Sequence, residues 1–119
     1  REARLAVRDF SSGLVVLAEE LRQKANAKNV IVTLGSEGLL IHAPGREGDW
    51  LTDRLPALNA SPKDTAGAGD SFLTCSALAM SVGANIWQAT YLGALAAGCQ
   101  VSRVGNIPLS PEEIEFELA

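Results

Sequence analysis

The sequence predicts a layered α/β domain, and three observations predict it. A β-branched run closed by glycine, Val30-Ile31-Val32-Thr33-Leu34-Gly35, reads as a buried strand. Two alanine-rich segments, Ala68 to Val82 and Ile86 to about Val101, read as helices with small residues on every face. Between them lies a glycine cluster that opens the first of these helices. The full order is helix, strand, strand, irregular stretch and three helices, which fits one half of a layered α/β domain. As a sheet, it does not look self-sufficient.

Taken in order, Leu14, Leu17, Ala18, Leu21 and Ala25 recur at helical spacing between Ser11 and Lys28. Ser11 or Ser12 fits the N-cap, with Glu19 and Glu20 on the exposed side. A tight turn, Gly35-Ser36-Glu37-Gly38, joins the first strand to a second over Gly38–Ala43, which places His42 half-exposed on that strand. Pro44 to Gly48 is a polar loop. Trp50 to Pro62 reads as irregular, with one or two short strand pieces, because Pro56 and Pro62 interrupt it. Gly83 fits the C′ position of the helix before it. Ser110, Pro111 and Glu113 predict the N-cap, first residue and capping box of a last short helix. Its acidic face is exposed, with Ile114 and Phe116 or Leu118 docked. Trp50, Trp87 and Tyr91 are expected in packed positions.

The 119 residues suffice for one domain with a core and not for two. Hydrophobic residues at 47% and charged residues at 20% make the chain globular rather than disordered. A net charge of -4, with no local Lys/Arg cluster, leaves no footprint for nucleic acid. No run of about 18 apolar residues argues for a membrane. Cys75 and Cys99 lack any metal or redox spacing and read as reduced, buried thiols, so a cytoplasmic location is expected. The chain opens on Arg1-Glu2-Ala3-Arg4 without Met, as a fragment of a longer protein would.

Chemistry concentrates in Asp64-Thr65-Ala66-Gly67-Ala68-Gly69-Asp70. Glycines one residue apart permit a turn closed to other residues and clear side chains from one wall. The helix that follows presents unpaired N–H groups and the positive end of its dipole, which together make an anion site suited to phosphate. A carboxylate at Asp70 would repel a phosphate bound there in the ground state. It makes sense as the base that takes a proton from an attacking hydroxyl while the N–H groups stabilise the transferring phosphoryl group. By themselves these residues also fit a plain helix start. No Gly-Lys-Ser/Thr is present, and Phe72 stands where a Gly-x-Gly-x-x-Gly motif needs glycine, so neither nucleotide fingerprint applies.

The longer pattern, Asp-Thr-x-Gly-Ala-Gly-Asp followed by Ser71-Phe72, resembles the second signature of the PfkB, or ribokinase-like, carbohydrate kinases. The resemblance implies an anion hole at Gly67, Ala68 and Gly69 and a catalytic base at Asp70. It implies a monovalent cation, K+, near Asp64 and the carbonyl of Ala66. Val32 to Gly38 resembles the family's strand-end turn at the ATP phosphates, which implies nucleotide contacts from Thr33, Gly35, Ser36 and Gly38. Val101-Ser102-Arg103-Val104-Gly105 resembles the segment flanking the adenine pocket, with Arg103 and Gly105 as further cation-site positions. Glu2 matches the glutamate of an Asn-x-x-Glu motif that positions Mg2+. Two positions depart from the pattern: Gly93 or Ala94 stands where many members carry Asn or His, and Leu109 where some carry a cation-binding Ser. Gly105 and Ser110-Pro111-Glu112-Glu113-Ile114 are similar to the branch that includes the heptose-phosphate kinases.

The resemblance covers nearly the whole chain as the C-terminal half of a family member. It implies a three-layer α/β/α ribokinase-like fold lacking the lid and the N-terminal strands. The expected activity is ATP-dependent transfer of a phosphoryl group to a sugar or sugar phosphate. A non-catalytic nucleotide-binding module is the alternative. Alone, the fragment is expected to bind nucleotide weakly, catalyse nothing, and expose enough core to associate as a homo-oligomer.

Overall fold

The computed structural model describes residues 1–45, 47–58, 66–105 and 107–119. The chain divides into two compact units, Arg1–Pro56 and Ala57–Ala119.

The first unit opens with α1, Glu2–Val7, which ends on Arg8 in the left-handed conformation (φ 58°). The Asp9 carboxylate then accepts the N–H groups of Ser11 and Ser12 at 3.1 and 3.0 Å. This turn uses up both serines, so the expected serine cap is not made. Helix α2, Leu14–Ala25, starts instead from Gly13 without a side-chain cap. Arg4 Nη1 donates to the Ser12 carbonyl (2.9 Å) and Lys24 Nζ to the Ala6 carbonyl (2.6 Å), tying α1 to α2. The core-facing positions of α2 are Leu17 and Ala18.

Three antiparallel strands follow in the order β1 (Val30–Thr33), β2 (Leu39–Pro44) and β3 (Trp50–Leu55). The β1–β2 connection is a single 3-10 turn, Gly35–Glu37, with the Leu34 N–H donating to the Gly38 carbonyl at 2.8 Å. Strand β2 is central, and Leu39 to Ala43 are all buried. Strand β1 is half-buried where the β-branched run predicted full burial. The stretch read as irregular is the six-residue strand β3 up to Leu55. Its exposed Asp53 and Arg54 suit an edge, where charge discourages further pairing.

His42 is only 3% exposed, which corrects the half-exposed position expected for it. The reason is Glu19, which points inward from α2 rather than to solvent. His42 Nε2 lies 2.7 Å from Glu19 Oε2, and His42 Nδ1 lies 2.8 Å from Thr52 Oγ1 across the β2–β3 ladder. Arg22 binds the same carboxylate through Nε and Nη2 at 2.8 and 2.7 Å. Its guanidinium lies 4.1 Å from the ring centre of Trp50, and Trp50 stacks on His42.

The second unit consists of α3 (Ala68–Ser81), α4 (Ile86–Val101) and α5 (Pro111–Leu118). Helix α3 ends as predicted, with Gly83 at φ 100° donating to the Met80 carbonyl. Helix α4 is capped by Asn85 and Gln88 in a reciprocal box. It buries Ala89, Gly93, Ala96 and Gln100, four positions on one face. A Cβ built on Gly93 would run into Ser76 Oγ and stand 2.9 Å from the Phe72 carbonyl oxygen, so glycine is what lets α3 and α4 approach. The small residue there therefore has a packing reason. Helix α5 has the predicted Ser110–Glu113 capping box, and Arg103 reaches Glu113 from the end of α4 at 3.1 Å. Ile114 is half-buried, but Phe116 is 79% exposed and Leu118 half-exposed, so the expected docking of one or the other is not seen. Tyr91 is likewise 46% exposed. Both cysteines are free and half-buried. Among the described residues no helix is long and apolar enough to cross a membrane.

Candidate functional site

The site begins with the backbone at Gly67, whose φ of 78° and ψ of -1° lie in the left-handed region that favours glycine. This residue serves as N-cap without side-chain help. The first rung of α3 is Ser71 N–H to Gly67 carbonyl, 3.0 Å. The N–H groups of Ala68, Gly69 and Asp70 therefore stand ahead of the helix's own bonding and point out of its positive end.

Gly69 needs a separate explanation. Its φ is not in the left-handed region, and a Cβ placed on it would meet nothing within 4 Å. Alanine would fit there and favour the helix by up to about 1 kcal/mol. Neither packing nor backbone geometry demands a glycine, and the space beside it is open. Asp70 occupies the third helical position, exposed, and no hydrogen bond or ion pair to its carboxylate is found among the described residues. A carboxylate beside the leading N–H groups of a helix is an arrangement that suits proton abstraction next to an anion.

Asp64 lies outside the described residues. Ala66, exposed, directly precedes Gly67. At the far end of α4, Gly105 adopts φ 86°. The Arg103 side chain is engaged with Glu113. That pairing and the Ser110 N–H hold the Glu113 carboxyl below its usual range, the Ser110 N–H contributing most. The nearby Cys99 thiol is pushed up, first by burial and then by Glu117, and Cys75 is pushed up by burial alone.

In the first unit, Thr33 is exposed at the end of β1 and Ser36 is exposed in the turn. Gly35 (φ 61°) and Gly38 (φ 90°) both occupy the left-handed region, so the turn itself requires both glycines. Glu2 is the exposed first residue of α1. Among the described residues no three His, Cys, Asp or Glu side chains gather as a metal cluster. The Glu19–His42 cluster went unpredicted because its members are distant in sequence and share no local pattern.

Comparison with known proteins places these features in context. The chain is 31% identical over 101 residues to the bifunctional protein HldE of Desulfatibacillum aliphaticivorans, covering 85% of this chain and 20% of that protein. It is 33% identical over 91 residues to the ribokinase of Lactococcus lactis, covering 76% and 28%. Among solved structures, ribokinase from Thermotoga maritima superposes with a TM-score of 0.80 at 32% identity, covering 98% of this chain and 39% of that one. Phosphofructokinase-2 from Escherichia coli in complex with potassium shares the fold at a TM-score of 0.78 and 20% identity, covering 97% and 37%. The chain thus spans well under half the length of these relatives, and its α/β architecture is part of a ribokinase-like fold. Residues 3–113 match the pfkB family carbohydrate kinase model, and the chain belongs to that family as a C-terminal portion of its kinase fold.

Proposed function

We propose that this segment is the phosphoryl-transfer part of an ATP-dependent kinase acting on a hydroxyl of a sugar or sugar phosphate. The observation that carries the reading is the start of α3, where the leading N–H groups of the helix and an open Gly69 adjoin Asp70, whose carboxylate has no partner among the described residues. Asp70 takes the proton of the acceptor hydroxyl as its oxygen bonds to the γ-phosphorus and the bond to the departing ADP oxygen breaks. Gly67, Ala68 and Gly69 form the anion hole, in which the N–H groups of Ala68 and Gly69 at the helix start stabilise the charge on the transferring group. Thr33, Gly35, Ser36 and Gly38 contact the ATP phosphates. Glu2 is the residue through which Mg2+, which neutralises phosphate charge when bound, would be oriented. Asp64 and the carbonyls of Ala66, Arg103 and Gly105 would hold K+. The family membership supports the reaction class, and the acceptor site lies beyond these residues.

The test is Asp70→Asn in a kinase carrying this segment, with ADP release followed over a panel of sugars and sugar phosphates. Loss of a general base lowers turnover by about 10²- to 10⁴-fold, with ATP affinity retained. Full turnover in the variant would refute the base assignment. The isolated chain is expected to bind ATP weakly and transfer nothing. Transfer by the isolated chain that Asp70→Asn abolishes would overturn that expectation.

A further inference from the structure

The Glu19–His42–Arg22–Trp50 cluster plays no part in the reaction above, and its geometry is unlike ordinary strand packing. Each Glu19 oxygen accepts two donors. Oε2 takes Arg22 Nε and meets His42 Nε2, while Oε1 takes Arg22 Nη2 and Gln23 Nε2 at 2.8 Å. The carboxylate's capacity of about four hydrogen bonds is thereby filled. Since the carboxylate only accepts, His42 Nε2 carries a proton in either charge state. In neutral His42, Nδ1 accepts from the Thr52 hydroxyl. Among the described residues, Glu19 from α2 and Trp50 and Thr52 from β3 meet the ring, and Arg22 from α2 reaches the same Glu19 oxygen and the same indole. Val30 stands opposite on β1, a strand without titratable residues. The Asp53 carboxylate is occupied by the N–H of Arg54.

We propose that this cluster is a proton-operated latch, in which charging His42 displaces Arg22 from Glu19 and Trp50 and loosens the end of α2. With His42 neutral, one cation and one anion share the site. A proton on His42 makes two cations converge on one carboxylate oxygen and one indole. Repulsion moves the partner that can move. The His42 side chain is 4% exposed and pinned at both nitrogens, whereas Arg22 is 20% exposed on a flexible stem. His42 keeps its place and pairs with Glu19, and Arg22 swings to solvent. Arg22 also donates to the Ala27 carbonyl at 3.4 Å, past the α2 C-terminus. Its release frees the link between α2 and β1, the strand that ends at Thr33 and the glycine turn.

The experiment is NMR of the intact chain from about pH 8 to pH 5, the range in which imidazoles ordinarily titrate, following His42 ring resonances and the Arg22 Nε–H. The expected result is that the Arg22 signal moves to the position of a solvated arginine in step with His42, and that Trp50 emission in a Trp87→Phe background changes in the same step. In His42→Gln, Trp50 emission stays flat across the range. An Arg22 signal that keeps its high-pH position while His42 titrates overturns the proposal, and so does a His42 that never titrates there. The wild-type NMR decides even if His42→Gln fails to fold.

Discussion

One substitution, glycine to alanine, should have opposite consequences on two neighbouring helices. At Gly93 the new methyl would meet Ser76 Oγ, which can rotate, and the Phe72 carbonyl oxygen at 2.9 Å, which is main chain of α3 and cannot. Overpacking of this kind costs about 1–3 kcal/mol, and the helix preference for alanine returns about 1, leaving a net loss of up to about 2 kcal/mol. Each kcal/mol lost lowers the thermal midpoint of a domain this size by roughly 3–6 °C. At Gly69 the same methyl enters open space, so stability holds or rises by up to about 1 kcal/mol, while ATP affinity falls because the phosphate approach is filled. The assay is paired thermal unfolding and ATP titration of both variants. Ser76→Ala, which removes a buried hydroxyl without a partner, should recover part of the Gly93→Ala loss. Gly93→Ala as stable as wild type would show slack between the helices. Gly69→Ala with unchanged ATP affinity would remove the argument for a ligand at the start of α3.

Other outcomes follow from the local chemistry. Hydrogen bonds from the Ser12 hydroxyl and from the N–H groups of Ser12 and Ser11 lower Asp9 from 3.8 to about 2. A depressed carboxyl contributes stability above its unfolded value and loses it as pH falls through the folded one. Asp9→Asn should therefore be less stable than wild type above about pH 4, with the difference vanishing towards pH 2 in acid-unfolding curves. Glu19 is held well below the usual carboxylate range, chiefly by Arg22 and then by His42, so Glu19→Gln should destabilise at neutral pH and remove part of the acid transition. Ser110→Ala should cost about 1 kcal/mol by opening the α5 capping box, read as faster amide exchange at Glu113. Cys99, its thiol pushed up by burial and acidic neighbours, should alkylate more slowly at pH 7.5 than a free cysteine.

Much of the helical part was legible because helix ends are written locally. Ser110, Pro111 and Glu113 lie within four residues, and Gly83 closes α3 where the pattern stops. The start of α2 was misread because Asp9 competes for the same N–H groups, and it takes both serines before either can cap. Strand β3 was obscured by the charges and flanking proline that make it an edge. His42 was misplaced because its partner Glu19 is twenty-three residues away, and no periodicity announces an inward-facing glutamate. The candidate site was legible as a motif, whereas the unforced glycine at position 69 emerged only with coordinates, since sequence does not reveal whether a missing Cβ has a neighbour. The burial of Phe116 and Leu118 was overestimated because helical spacing shows which residues share a face, not whether anything covers it.

The left-handed Gly67 has a consequence for how such an enzyme diversifies. The donors at the start of α3 belong to the main chain, so in the proposed reaction no side chain would have to be kept to bind the phosphate. Changes of acceptor can accumulate elsewhere in the protein without re-engineering the transfer chemistry. The same economy makes the position brittle. A residue with a Cβ at 67 would strain this left-handed backbone, and any shift to relieve the strain would turn the donors together.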